Sequence, residues 1–97
     1  MPTRAIVLSR SDNVGTLIDP GREGESCALQ GEVQGEVRLL QDVPFGHKVC
    51  IRETPAGADV LKYGQVIGKS SKPIRVGEHV HVHNVESARG RGDQASR

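Results

Sequence analysis

At 97 residues with a formal charge of +1, the chain is one small domain with a modest core, which excludes a large enclosed active site. The near-neutral balance and scattered cations exclude strong electrostatic binding of nucleic acid, and no apolar run reaches the roughly 20 residues of a membrane span. Phe45 and Tyr63 are the only residues of the Phe/Trp/Tyr class, so 12 Val, 5 Ile and 6 Leu must build the core, and the β-branched excess favours strands over helices.

In chain order, Met1-Pro2-Thr3-Arg4 leads directly into a strand-like RAIVL segment at 4–8, without the features of a signal peptide. Ser11-Asp12-Asn13 is a turn or helix-cap signal, and the apolar residues 14–18 suit either a helical turn or a strand. Asp19-Pro20-Gly21 marks another turn. A strand is expected through 26–29 and a further one through EVRLL at 36–40. Cys27 and Cys50 have apolar neighbours and no metal-motif spacing, so both are expected as reduced core thiols in a cytoplasmic protein.

A weak repeat then begins. Val43-Pro44-Phe45-Gly46-His47-Lys48-Val49, Thr54-Pro55-Ala56-Gly57-Ala58-Asp59-Val60 and Ile74-Arg75-Val76-Gly77-Glu78-His79-Val80 share a β-branched residue, a glycine three positions on, and a valine three beyond that. A strand end, a tight turn with glycine at positive φ, and a new strand would give this pattern. Tyr63-Gly64 and Ile67-Gly68 flank a short strand piece at Gln65-Val66. The unequal spacing of the units argues against a solenoid.

Three of the four histidines alternate with valine in Glu78-His79-Val80-His81-Val82-His83-Asn84. Read as a strand, this run lines one face with His79, His81 and His83 and the other with Val80 and Val82. A row of imidazoles can bind metal, move protons or hold an anion. Past Asn84 the pattern ends, and residues 87–97 form a small, polar, basic tail expected to be flexible. Its Arg91-Gly92-Asp93 tripeptide is read as chance.

The wording DVPFGHKVCIRETPAG, then VLKYGQVIGKS, then GEHVHVHN resembles the SAF domain of the altronate/galactarate dehydratase family. Asp12-Asn13-Val14 upstream and Asn84-Val85-Glu86-Ser87 with Arg89-Gly90-Arg91-Gly92 downstream fit as well. The resemblance implies a mainly β fold of the β-clip (SAF) type over 1–86, with short strands, tight turns and room for one or two short helices. It also implies a small subunit of a cytoplasmic hydro-lyase, inactive alone. With a separate large catalytic subunit it would dehydrate a sugar acid of altronate or galactarate type to a 2-keto-3-deoxy acid. The sulfolactate sulfo-lyase small subunit has similar motifs. A non-catalytic module that binds a small acidic sugar or a partner protein is the rival class, because the fold alone does not decide function.

Elimination from a hydroxy acid needs a base, an acid and an electrophile for the enolate. His81 and His83 are the expected catalytic pair and the expected metal ligands, for a divalent ion (iron) in the assembled enzyme. Two ligands are too few, so the large subunit would bring the rest. His79, beside Glu78, is expected to face solvent. His47, after a turn glycine, is either a catalytic acid or base or a capping group within its turn. Lys62, Tyr63 and Asn84 are the substrate-binding candidates. Against those roles stand packing for Tyr63 and an Asx-type hydrogen bond for Asn84. Exposed strands on so small a domain also make a homo-oligomer an open expectation.

Overall fold

The computed structural model describes residues 3–87, and within them the chain forms nine strands and no helix. The short helices allowed for above are therefore absent from the described part. The segment at 14–18 that suited either state is a strand, because both its faces are buried. The basic tail, with Arg89, Arg91 and the Arg-Gly-Asp tripeptide, lies outside the described residues.

Six strands make one sheet: β1 Thr3–Val7, β2 Val14–Leu17, β3 Ser26–Gly31, β4 Gly35–Arg38, β5 Lys48–Cys50 and β8 His79–Val80, in the order β4-β3-β1-β2-β5-β8. β6 Asp59–Lys62, β7 Gln65–Ser70 and β9 Val85–Ser87 make a second sheet in the order β6-β7-β9. Only β1 and β3 run parallel; every other strand pair is antiparallel.

Alternation along β1 buries Thr3, Ala5 and Val7 and leaves Arg4 exposed. Ala5 and Val7 join Leu17, Cys27, Leu29, Leu39, Val43 and Val49 in a first core. A second core holds Val14, Cys50, Val60, Ile74 and Val80. Adjacent residues of β5 thus enter different cores, Val49 the first and Cys50 the second. Full burial of side chains such as Leu17 and Val49 contributes about 1.5–3 kcal/mol each. Both cysteines are free and buried, and burial pushes the Cys27 thiol up to about 11.

The repeat seen in the sequence is a structural unit, and there are four copies rather than three. In each, a four-residue turn closes by an amide donating to the carbonyl three residues back: Glu25 to Arg22, His47 to Pro44, Ala58 to Pro55 and Glu78 to Arg75, at 3.0–3.1 Å. The third residue is always a glycine at positive φ, Gly24, Gly46, Gly57 or Gly77. Each glycine amide donates to a distant carbonyl, and that distant residue's own amide donates back to the residue after the glycine. The distant partners are Leu39, Leu17, Ser70 and Cys50. Bridges Gly21↔Val43 and Thr54↔Ile74 join the units in two pairs. The copy at 21–27 escaped the sequence pattern because Gly21 and Cys27 stand where the other units have a β-branched residue and a valine.

The turns differ in one respect. Where the first residue is Arg22 or Arg75, its amide is accepted by the carboxylate of Glu25 (2.9 Å) or Glu78 (2.7 Å) at the fourth position. Where the first residue is Pro44 or Pro55, there is no N–H to satisfy. The fourth position then carries His47 or Ala58.

The expected five-residue histidine strand is interrupted. β8 is only His79–Val80, and the chain reverses over 81–84 before β9 begins at Val85. Asn84 causes the reversal. Its Oδ1 accepts the His81 amide at 2.9 Å, its Nδ2 donates to the His79 carbonyl at 2.9 Å, and its own amide donates to the His81 carbonyl at 3.1 Å. Val80 fills the second core, whereas Val82 is 82% exposed, so the alternation is broken in packing as well as in backbone.

Candidate functional site

The β5–β8 register assembles the histidines. Lys48 lies opposite Val80 and Val49 opposite His79, so one further step places His47 opposite His81. Antiparallel neighbours on one face bring their side chains together. The His47 and His81 rings stack with centroids 4.5 Å apart. His79 is diagonal to His47, with centroids 5.1 Å apart, and its Nε2 lies 2.9 Å from His47 Nδ1. One nitrogen from each of His47, His79 and His81 lies within 4.8 Å of the others. The His83 ring stays near His79, at 5.4 Å.

His79 does not face solvent as its place beside Glu78 suggested; it is partly buried and joins the cluster. A hydrogen bond between two imidazoles needs one donor and one acceptor, so it holds only while at least one ring is neutral. His79 is the ring suited to stay neutral. Burial, then the neighbouring His47, His83 and His81 rings, then Lys48, push it down to about 4. Its backbone is also fixed, since the amide donates to Gln41 Oε1 at 2.8 Å.

Beside the cluster, a pocket of about 360 Å³ opens between the two sheets, and His81 forms part of its wall. Lys48 and Lys62 line it together with apolar Ile67, Val80 and Val85. Lys48 is lowered from its ordinary value by burial and then by the charge of Lys62. Two cations that repel each other in an apolar-walled pocket favour an anion between them. Lys62 was a sequence candidate; Lys48 was not, although its position directly after His47 and before a strand was the available signal.

The other candidates are placed differently. Asn84 is buried with both ends of its amide engaged by the 81–84 turn. Tyr63 is 41% exposed at φ 55, at the tip of the β6–β7 hairpin, with Lys62 Nζ 4.8 Å from its ring centre. It does not serve the core. Unanticipated is Asp12, wholly buried, whose carboxylate accepts the amides of Tyr63 at 2.7 Å and Gly64 at 2.8 Å. Asn13 works beside it, accepting from the Leu61 amide and donating to the Asp59 carbonyl. These two residues hold the strand that presents Lys62, which the turn signal in the sequence did not convey.

Residues 3–88 match the altronate/galactarate dehydratase SAF domain. The chain belongs to this family. The SAF chain is 39% identical over 89 residues to the (2R)-sulfolactate sulfo-lyase subunit alpha of Chromohalobacter salexigens, covering 87% of this chain and 94% of that one. It is 36% identical over 82 residues to the altronate dehydratase of Escherichia coli K12, covering 84% of this chain and 16% of the enzyme. With the galactarate dehydratase of the same organism it shares 34% identity over 76 residues, 77% of this chain and 14% of the enzyme. The SAF chain therefore spans nearly the whole of one relative and about a sixth of the others. Among its described residues no helix is long and apolar enough to cross a membrane.

Proposed function

We propose that this chain is the small SAF subunit of a hydro-lyase that dehydrates a sugar acid of altronate or galactarate type, acting with a separate large catalytic subunit. The observation that carries this reading is the pocket in which His81 stands beside Lys48 and Lys62. The two ammonium groups would hold the substrate carboxylate as point charges. An imidazole at the wall would take the proton from C2 or deliver one to the hydroxyl leaving C3 as water. The resulting enol gains a proton at C3 and becomes the 2-keto-3-deoxy acid. His81 would touch substrate with His47 stacked behind it, and where an ion takes the His81 lone pair, His83 from the same turn would move the proton.

The three nitrogens of His47, His79 and His81 fit a divalent ion, because the 2.9 Å approach of two of them is close to the spacing of neighbouring ligands around one centre. Such an ion, iron in this reading, would supply Lewis-acid stabilisation of the enolate. The open pocket and the small domain leave the remaining groups to the large subunit.

A second reading has its own support. The 39% identity runs across 94% of a sulfolactate sulfo-lyase alpha subunit, and in that reading sulfite replaces water as the leaving group. Co-expression with a dehydratase large subunit, followed by 2-oxo acid and sulfite assays on altronate, galactarate and sulfolactate, tests both. Turnover of a sugar acid without sulfite is expected. Sulfite release from sulfolactate alone would favour the second reading. No complex and no turnover would overturn both and leave a non-catalytic binding module.

A further inference from the structure

We propose that His47, His79 and His81 form a binding site for a divalent transition-metal ion that this chain fills without a partner. The site joins two strands: His47 comes from the turn before β5, while His79 and His81 come from β8 and its exit. The lyase reading puts an ion on the same three rings in the assembled enzyme; binding by the chain alone goes beyond it, requiring neither a large subunit nor a substrate, and it includes His79, which the sequence pattern set aside.

Ligand geometry supports it first. Around an ion with bonds of about 2.0–2.1 Å to imidazole nitrogen, neighbouring ligand nitrogens sit roughly 3.0–3.4 Å apart. His47 Nδ1 and His79 Nε2 are already 2.9 Å apart, and one nitrogen from each of the three rings lies within 4.8 Å of the others. Backbone anchoring supports it next. The His47 amide is bound to the Pro44 carbonyl, the His79 amide to Gln41 Oε1 and the His81 amide to Asn84 Oδ1. Only side-chain torsions need to change for the third ring to close on the ion. Burial falls from His47 and His79 to the exposed His81, so the open coordination positions face solvent on the His81 side.

The donor set defines the ligand class. Three imidazoles suit zinc, iron, cobalt, nickel or copper, whereas magnesium and calcium take oxygen ligands. Because β8 is a two-residue edge strand, an ion spanning His47 and His79 would also fasten it to β5.

The test uses the full chain, treated with chelator and titrated with zinc chloride and cobalt chloride by calorimetry, with the cobalt absorption spectrum followed in parallel. One ion per chain is expected, with no response to magnesium. A rise in Tm of on the order of 10 °C is expected when free metal exceeds Kd about a hundredfold. Losing even a supporting partner of a ligand costs about 10–100-fold in affinity, so H47Q and H79Q should each lose at least that much. Circular dichroism and Tm of the metal-free variants establish that they are folded. No binding by the parent chain, or binding that folded H47Q and H79Q leave unchanged, would overturn the site. Either result leaves the lyase assay with the large subunit free to succeed or fail by itself.

Discussion

Val49 and His79 face each other across the β5–β8 pair, and this one register decides which imidazoles meet. Val49 is buried in the first core, so β5 cannot slide by one residue without turning an apolar side chain to the wrong face. The histidine cluster is therefore fixed by the packing of Val49, two residues along the same face of β5 from His47.

The environment of His79 predicts a pH dependence for the metal-free chain. Its folded pKa of about 4 lies below the ordinary 6.5, through burial and then the neighbouring His47, His83, His81 and Lys48. Between those values the unfolded state binds the proton more readily, so stability is full above about pH 6.5 and falls as pH drops toward 4. Urea denaturation of the chelator-treated chain from pH 4 to 7.5 should show this slope, and H79Q should flatten it. An H79Q profile parallel to the parent's would remove His79 as its source.

Asp12 is predicted to be a stability residue through the hairpin it holds. Its carboxylate accepts two amides at 2.7 and 2.8 Å, and hydrogen bonds to charged groups contribute about 1.5–3 kcal/mol each. D12A should cost about 2–4 kcal/mol by denaturant titration, because part of the loss is recovered when the amides hydrate. A cost below about 1 kcal/mol would mean that the hairpin tip stands without it.

Two glycines in equivalent turns should respond unequally to alanine. Gly57 has φ +83 with open space where a Cβ would stand, so G57A should cost only the left-handed penalty of about 1–2 kcal/mol. Gly77 has φ +96, and an added Cβ would run into the Arg38 carbonyl and crowd Leu40. G77A should cost a further 1–3 kcal/mol or so for that clash. Equal melting points for the two variants would contradict the packing described around Gly77.

In the proposed lyase, Lys48 and Lys62 should act on substrate binding. Replacing either with Gln should raise KM by about 10-fold or more, the equivalent of one charge-assisted hydrogen bond. Unchanged KM with unchanged kcat for both variants would show that the substrate carboxylate is held elsewhere.

Much of this arrangement was readable in the sequence for physical reasons. The valine-rich composition required strands, and the spaced glycines required turns with positive φ. The quoted motifs carried the family. What escaped depended on contacts between distant residues. The run at 79–83 has the alternation of a strand, yet Asn84 offers both ends of its amide to the backbone and turns the chain after Val80. His79 looked solvent-facing because Glu78 precedes it, but Glu78 is occupied by the Arg75 amide and His79 turns toward His47. Asp12 lies about fifty positions from the amides it holds, beyond the reach of any local pattern.

The proline at position 44 has a consequence for where chemistry can reside. In the arginine-led turns the fourth side chain is conscripted by the backbone, and Glu25 and Glu78 are committed to sealing their own loops. Pro44 presents no such demand, so the side chain at position 47 is released from upkeep of the fold. One imino acid thus turns a self-sealing loop into a mount for an imidazole, and it does so on the turn whose exit strand lies beside β8.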